Sequence, residues 1–275
     1  MIHHKDTKNI AIEECIFSKN YFHFVLDTLF PSYYNFCSAK GTKDTKFFVK
    51  YRGEEHNEDK CLNNMLFRKS MFQTLFPECK IEYVKELNFN KFKHSYAIRP
   101  VGRLDLFFPR YLQEFISKIM NNLNVKCTKQ DKIIFVGRKE NKMTGNNNGS
   151  RILENQNEIF DYCQSKISSE LVYFENMPWE EQIKKSSESR IMIGMHGSGL
   201  TNSIFMRRDS LLIEILPERF YFDRFKNINE ICGNKYLPIR SEPANRQGHF
   251  VHSNQILNVK LFRNFIDEIL KKERL

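Results

Sequence analysis

Apolar residues fall into two rhythms along this chain. From residue 131 onward, short unbroken apolar runs alternate with stretches in which apolar positions recur every three or four residues. The runs are "KIIFVG" (132–137), "ELVYFE" (170–175), "RIMIGM" (190–195) and "SLLIEIL" (210–216). They are short, rich in aliphatic residues and bounded by polar segments, the mark of strands buried on both faces. Between them, "LENQNEIFDYCQSK" (153–166) has helical spacing through Ile159, Phe160 and Cys163. "PWEEQIKKSSES" (178–189) opens with Pro178 near a first helical position, and "GLTNSIFMR" (199–207) predicts a short helix. "SNQILNVKLFRNFIDEILKKERL" (253–275) closes the chain as an amphipathic helix. Strands alternating with helices predict a parallel sheet with helices on both faces, an α/β fold.

The first half is less regular. "SKNYFHFVLDTLFPSYYNFC" (18–37) has helical spacing through Phe22, Val25, Leu26, Leu29 and Phe30. "TKFFVKY" (45–51), "IEYVKE" (81–86) and "SYAIRP" (95–100) predict strands, and "YLQEFISKIMNNL" (111–123) a helix that links the halves. The boundary falls near residues 110–128. The reading is an N-terminal domain over 1–115, a C-terminal Rossmann-like domain over 116–255, and a final helix, 256–275, packing back on the first domain. The polar stretch "NKMTGNNNGS" (141–150) reads as a loop.

Composition narrows the classes. At 275 residues and 41% hydrophobic, with 25 phenylalanines, the chain can bury a core of its own. The formal net charge of +10 draws anions. Lys and Arg are interspersed with Asp and Glu rather than blocked, which disfavours nucleic acid as the partner. Seven cysteines, with no Cys-x-x-Cys pair, disfavour zinc and a disulfide framework. They fit free thiols in a reducing, cytoplasmic compartment. No run approaches the ~20 apolar residues of a membrane span. A lumenal domain of a longer, anchored protein is the alternative.

The chemistry concentrates where "RIMIGM" enters "HGSGL" (196–200). This is a strand passing into a helix through a glycine-rich corner. Gly197 and Gly199 tolerate positive φ and let a ligand approach backbone. The amides of Ser198, Gly199 and Leu200, at the helix start, favour an anion. Such a corner lies at a strand's carboxyl end, where open α/β sheets bind ligands, and His196 stands at its mouth. Arg138 follows "KIIFV" at a second strand end, and Arg151 follows the polar loop. Two guanidiniums at one sheet edge suit a diphosphate. Glu214, inside an apolar strand, needs a partner: a ribose or sugar hydroxyl, or an arginine. Earlier in the chain, Asn20, His23 and Asp27 share one helix face, and His with Asp at that spacing makes a base and its orienter. No P-loop, G-x-G-x-x-G or G-x-S-x-G sequence is present.

Taken together these residues resemble glycosyltransferase family 61. Its strand-His-Gly-[Ala/Ser]-[Gly/Ala]-Leu-Thr-Asn signature, with a later Glu in an apolar strand before Pro, is matched by His196, Gly197, Gly199, Leu200, Thr201, Asn202, Phe205, Glu214 and Pro217. Its Asn-x-x-His-x-x-x-Asp helix is matched by Asn20, His23 and Asp27, and its arginine motifs by Arg138, Arg151 and Asn155. Gly137 departs from the family's Ser before the arginine. The resemblance implies two Rossmann-like domains facing across a cleft (the GT-B arrangement), a UDP-sugar donor, and inversion at the anomeric carbon. Xylose or N-acetylglucosamine would pass to a hydroxyl of a glycan or glycoprotein.

On that reading Arg138, Arg151, His196, Gly197, Ser198, Gly199, Leu200, Asn202 and Glu214 bind the donor. Asn20 and His23 meet the acceptor, and Asp27 or His23 is the base, with Asp27 slightly preferred. No Asp-x-Asp occurs in the chain. Arginines and amides then stand in for a divalent metal, and no cofactor is obligatory. A nucleic-acid-binding protein and an inactive UDP- or sugar-binding relative are the competing readings.

Overall fold

The computed structural model describes residues 9–14, 20–50, 65–87, 108–127, 131–138, 152–245 and 253–275. The expected strand at 95–100, the polar loop and Arg151 lie outside them. The chain divides into two compact units. The first is Met1–Val125 with Pro178–Glu180; the second is Lys126–Met177 with Glu181–Leu275.

In the first unit, β1 (Asn9–Glu13), β2 (Lys46–Lys50) and β3 (Lys80–Val84) form a parallel sheet in that order. Parallel neighbours need crossovers, and helices supply them. Between β1 and β2 runs a helix in three parts: α1 (Tyr21–Phe24), a π-helical turn (Val25–Leu29) and α2 (Phe30–Ser38). α3 (Met65–Leu75) joins β2 to β3, and α4 (Pro109–Asn122) follows. Many of the phenylalanines gather here. Phe47 and Phe76 lie 4.3 Å apart, Phe30 meets Phe115 edge-on at 5.5 Å, and Phe24 meets Phe72 at 5.9 Å. Such pairs add about 0.5–1.5 kcal/mol each beyond the area they bury.

The second unit holds a six-stranded sheet. Its strands are β4 (Ile133–Val136), β5 (Ser169–Val172), β6 (Ile191–Met195), β7 (Leu211–Pro217), β8 (Lys235–Pro243) and β9 (Gln255–Ile256). The order is β5-β4-β6-β7-β8-β9, parallel throughout except for β9 against β8. Every residue of β4, β6 and β7 is buried, as their unbroken apolar runs require. α5 (Gln156–Lys166), α6 (Trp179–Ser187) and α7 (Arg224–Ile231) make crossovers, and α8 (Val259–Glu273) ends the chain.

Three differences from the sequence reading have clear causes. The final helix is part of the second unit. Phe262, Ile266, Ile269 and Leu270 sit in the second unit's core with Ile159 and Cys163 of α5, because its apolar stripe matches that sheet. Glu273 fastens its end, accepting from Arg190 at 2.6 Å and Lys235 at 2.5 Å. The segment after Ser198 is a 3-10 helix, Ser198–Phe205, longer than the three or four residues usual for that type. Finally, β8 was not expected. Pro238 and its charged neighbours hide its pattern, yet it pairs with β7 along Leu211–Pro217.

Among the described residues Cys37, Cys79, Cys127, Cys163 and Cys232 are free thiols. Burial pushes the Cys163 thiol up to about 12. No described helix is long and apolar enough to cross a membrane.

Candidate functional site

The strand order places the site. From β4 the chain moves outward to β5, then returns to lay β6 on the other flank of β4. The two crossovers leave in opposite directions, which makes the carboxyl ends of β4 and β6 a topological switch point, the position where open α/β sheets take ligands. Arg138 stands just past β4, and His196-Gly197-Ser198-Gly199 just past β6. They meet: Arg138 donates from Nη1 to the His196 carbonyl at 3.2 Å. Residues 58 positions apart thus share one corner because their strands are neighbours in register, Val136 beside Gly194.

The glycines serve close approach rather than unusual backbone. Gly197 is fully extended, φ 170° and ψ 169°, and Gly233 is the glycine with positive φ among the described residues. Neither Gly197 nor Gly199 uses the left-handed backbone that glycine tolerates. A Cβ on Gly197 would come within 3.3 Å of the Arg138 guanidinium, and one on Gly199 within 3.2 Å of Val136 Cγ1. The Leu200 amide closes the turn onto the Gly197 carbonyl at 3.1 Å. At the start of the 3-10 helix, the Ser198 and Gly199 amides have no intrahelical acceptor, so they can meet an anion beside Arg138.

Gly137, where the family that the sequence resembles carries serine, is closely packed. A Cβ there would lie 2.7 Å from the Tyr173 ring and 3.0 Å from Gln156 Oε1. Gln156 in turn donates to the Tyr173 hydroxyl at 3.0 Å.

Two of the residues expected at the donor, Leu200 and Asn202, have buried side chains. Leu200 is fully buried, and its side chain lies where a Cβ on Gly194 would come within 3.0 Å. Asn202 is buried as well, and donates to Gln182 Oε1 at 2.9 Å and to the Gly199 carbonyl at 3.3 Å. Gln182 fastens the segment before α6 by donating to the Phe174 and Met177 carbonyls. Asn155 ties Leu257 by accepting from its amide at 3.1 Å and donating to its carbonyl at 2.8 Å. Asn202 thus fastens the corner's own backbone at Gly199, and Asn155 fastens the segment after β9.

Glu214 is 0% exposed and pairs with neither an arginine nor open space. His196 Nδ1 lies 2.6 Å from its Oε1, and the Tyr236 hydroxyl donates to its Oε2 at 2.6 Å. Burial first, and then the Glu214 charge, push the Tyr236 phenol up, so it keeps its proton. The His196 ring is walled by Phe220, Phe222 and Phe225, with centroids at 4.6, 4.9 and 5.8 Å. None of these four aromatic partners was foreseen. The recurrence of Phe at 220, 222 and 225 directly after Pro217 was the available signal.

In the first unit, Asn20 caps α1, its Oδ1 accepting from the Phe22 amide at 3.0 Å. His23 Nδ1 and Asp27 Oδ2 lie 2.6 Å apart. The π-helical turn carries Asp27, which is 5% exposed, whereas the His23 side chain is 35% exposed. Tyr21, next to them, accepts a hydrogen bond from Trp179 Nε1 at 2.8 Å, and both rings are buried. No cluster of three metal-ligating side chains occurs among the described residues.

Residues 21–213, more than half of the chain, match the model of the family described as Glycosyltransferase 61. The chain is also similar to the beta-1,2-xylosyltransferase RCN11 of Oryza sativa subsp. japonica. The two are 24% identical over 149 residues, which is 52% of this chain and 26% of that protein. The chain therefore matches about a quarter of its relative's length. The family match takes in both the His23–Asp27 helix and the corner at His196, and on its extent the chain belongs to glycosyltransferase family 61.

Proposed function

We propose that this protein transfers a sugar, xylose or N-acetylglucosamine, from a UDP-sugar to a hydroxyl of a glycan or glycoprotein, with inversion at the anomeric carbon. The observation that carries the reading is the meeting of Arg138 with the His196–Gly199 corner at the switch point of the second unit's sheet. There a guanidinium and two helix-start amides converge. Negative charge grows on the diphosphate as the glycosidic bond breaks, and positive groups fixed in advance stabilise that state most. Arg151 belongs to the proposal as a second guanidinium. No divalent metal is required on this reading. The similarity to a xylosyltransferase supports xylose.

The first unit supplies the base. Exposure favours His23 over Asp27, because a base must touch the acceptor and Asp27 is buried beneath the imidazole. The acceptor hydroxyl attacks the anomeric carbon, its proton passes to His23, and UDP departs with the electrons of the broken C–O bond. Asp27 orients the ring and balances the imidazolium. The mechanism requires the two units to bring these groups together, the GT-B arrangement that the family resemblance implies.

Two assays test this. UDP release should appear with UDP-xylose or UDP-N-acetylglucosamine once an acceptor glycan is supplied, and should persist in chelator. His23→Ala should lower kcat about 10²–10⁴-fold, the range for loss of a general base, while UDP affinity measured by calorimetry stays unchanged. A purified protein that binds neither UDP nor a UDP-sugar would sink the proposal.

A further inference from the structure

Glu214 raises a question that donor binding alone does not answer. It sits in the middle of β7, where every residue is buried. A carboxylate in that setting costs several kcal/mol unless both of its oxygens are engaged. Strand register supplies the partners. Glu214 pairs with Gly194 of β6 on one side and with Pro238 of β8 on the other. Side chains alternate along strands, so the same-face neighbours are two residues away: His196 and Tyr236. They close on the carboxylate from opposite sides at 2.6 Å each.

The consequence falls on His196. The tyrosine hydroxyl already donates to Oε2, and a carboxylate accepts but does not donate. The bond at Oε1 must therefore carry its proton on Nδ1. The imidazole cannot turn away, because Phe220, Phe222 and Phe225 enclose it and its side chain is 12% exposed. Nε2 has no hydrogen-bond partner among the described residues. In a ring with one proton, placed on Nδ1, Nε2 carries a lone pair. A lone pair suits a hydroxyl and repels a phosphate oxygen.

We propose that Glu214 and Tyr236 are positioning residues that make His196 a reader of hydroxyls. The carboxylate holds the ring proton on Nδ1, the tyrosine holds the carboxylate, and Nε2 accepts a hydrogen bond from a sugar or ribose hydroxyl of the nucleotide sugar. Arg138 and the Ser198 and Gly199 amides then take the diphosphate. This rests on the UDP-sugar reading above and divides that site into an anion half and a hydroxyl half.

The test uses the full chain with 15N-labelled histidine at pH 8. Two-bond 1H–15N spectra, assigned to His196 by the His196→Gln variant, should show Nδ1 protonated and Nε2 bare. Addition of UDP-xylose or UDP-N-acetylglucosamine should shift the Nε2 signal in the direction of hydrogen-bond acceptance. Tyr236→Phe should weaken binding of the nucleotide sugar about three- to tenfold, the usual worth of one hydrogen bond. Glu214→Gln, whose amide oxygen can still accept from Nδ1, should bind more tightly than Glu214→Leu. A merely structural role would move unfolding temperature without moving the Nε2 signal. A proton found on Nε2 instead of Nδ1 overturns the proposal. So does a Tyr236→Phe protein with unchanged affinity and unchanged ring signals. Failure of the wild type to bind any nucleotide sugar would overturn the transferase reading instead, and the proton's location would still be read.

Discussion

Gly197 and Gly137 show how a single Cβ separates binding from folding. Gly197 is extended, a backbone any residue adopts, so alanine there strains nothing locally. Its Cβ instead crowds the Arg138 guanidinium at 3.3 Å. Gly197→Ala should weaken UDP about tenfold, a shift of about 1.4 kcal/mol, with little change in unfolding free energy; calorimetry beside urea titration separates the two. Gly137→Ala should do the reverse. Its Cβ meets the Tyr173 ring at 2.7 Å, and overpacking of this kind costs about 1–3 kcal/mol of stability. The sequence motif named both positions as near the site. It could not say which glycine lies against an arginine and which against a tyrosine ring, because the neighbours come from other strands.

At the scale of elements, ion pairs between distant segments help decide which of them stay together. Glu14, just past β1, and Arg68 of α3 form an ion pair at 2.6 Å, with side chains 0% and 3% exposed. Removing one partner strands a charge, so Arg68→Met should cost about 3–5 kcal/mol. Adding Glu14→Leu should return a substantial part, a double-mutant cycle readable in chemical unfolding. A second link is Glu170 of β5, which pairs with Lys132, just before β4, and with Lys185 of α6 at 2.5 Å. Burial alone would raise its carboxyl, but the two ammonium groups outweigh that and hold it below its ordinary value of 4.5. A depressed carboxyl stabilises the fold above its unfolded value, and that contribution is lost as pH falls through the lower folded value. Stability measured from pH 6 downward should therefore fall more gently in Glu170→Gln than in the wild type below about pH 4.5.

For the whole molecule, the division into two units makes ligand effects local. UDP held at the β4 and β6 strand ends should slow amide exchange around 136–138 and 196–200, with no protection at 46–50 of β2 in the first unit. At a hundredfold excess over Kd it should stabilise the second unit by about 2.7 kcal/mol. Protection centred on the first unit instead would contradict the donor assignment. The helix that ends the chain belongs to this scale too. Phe262 is fully buried in the second unit's core, and Phe262→Ala should cost about 3–5 kcal/mol, a loss visible in thermal unfolding of that unit.

Hydrophobic rhythm determined the α/β class, the strands β4, β5, β6 and β7 and the helices between them, and residue identity gave the family motifs, because each is written in adjacent residues. Tertiary structure decided the rest. Strand register put Tyr236 against Glu214 and Glu214 against His196, burying the carboxylate between two side-chain partners. A strand masked by Pro238 and its charges supplied that tyrosine, and relative burial set His23 outward and Asp27 inward. None of these follows from spacing, since each depends on which distant segment lies alongside, and pairing between strands is a property of the folded sheet rather than of any one stretch of chain.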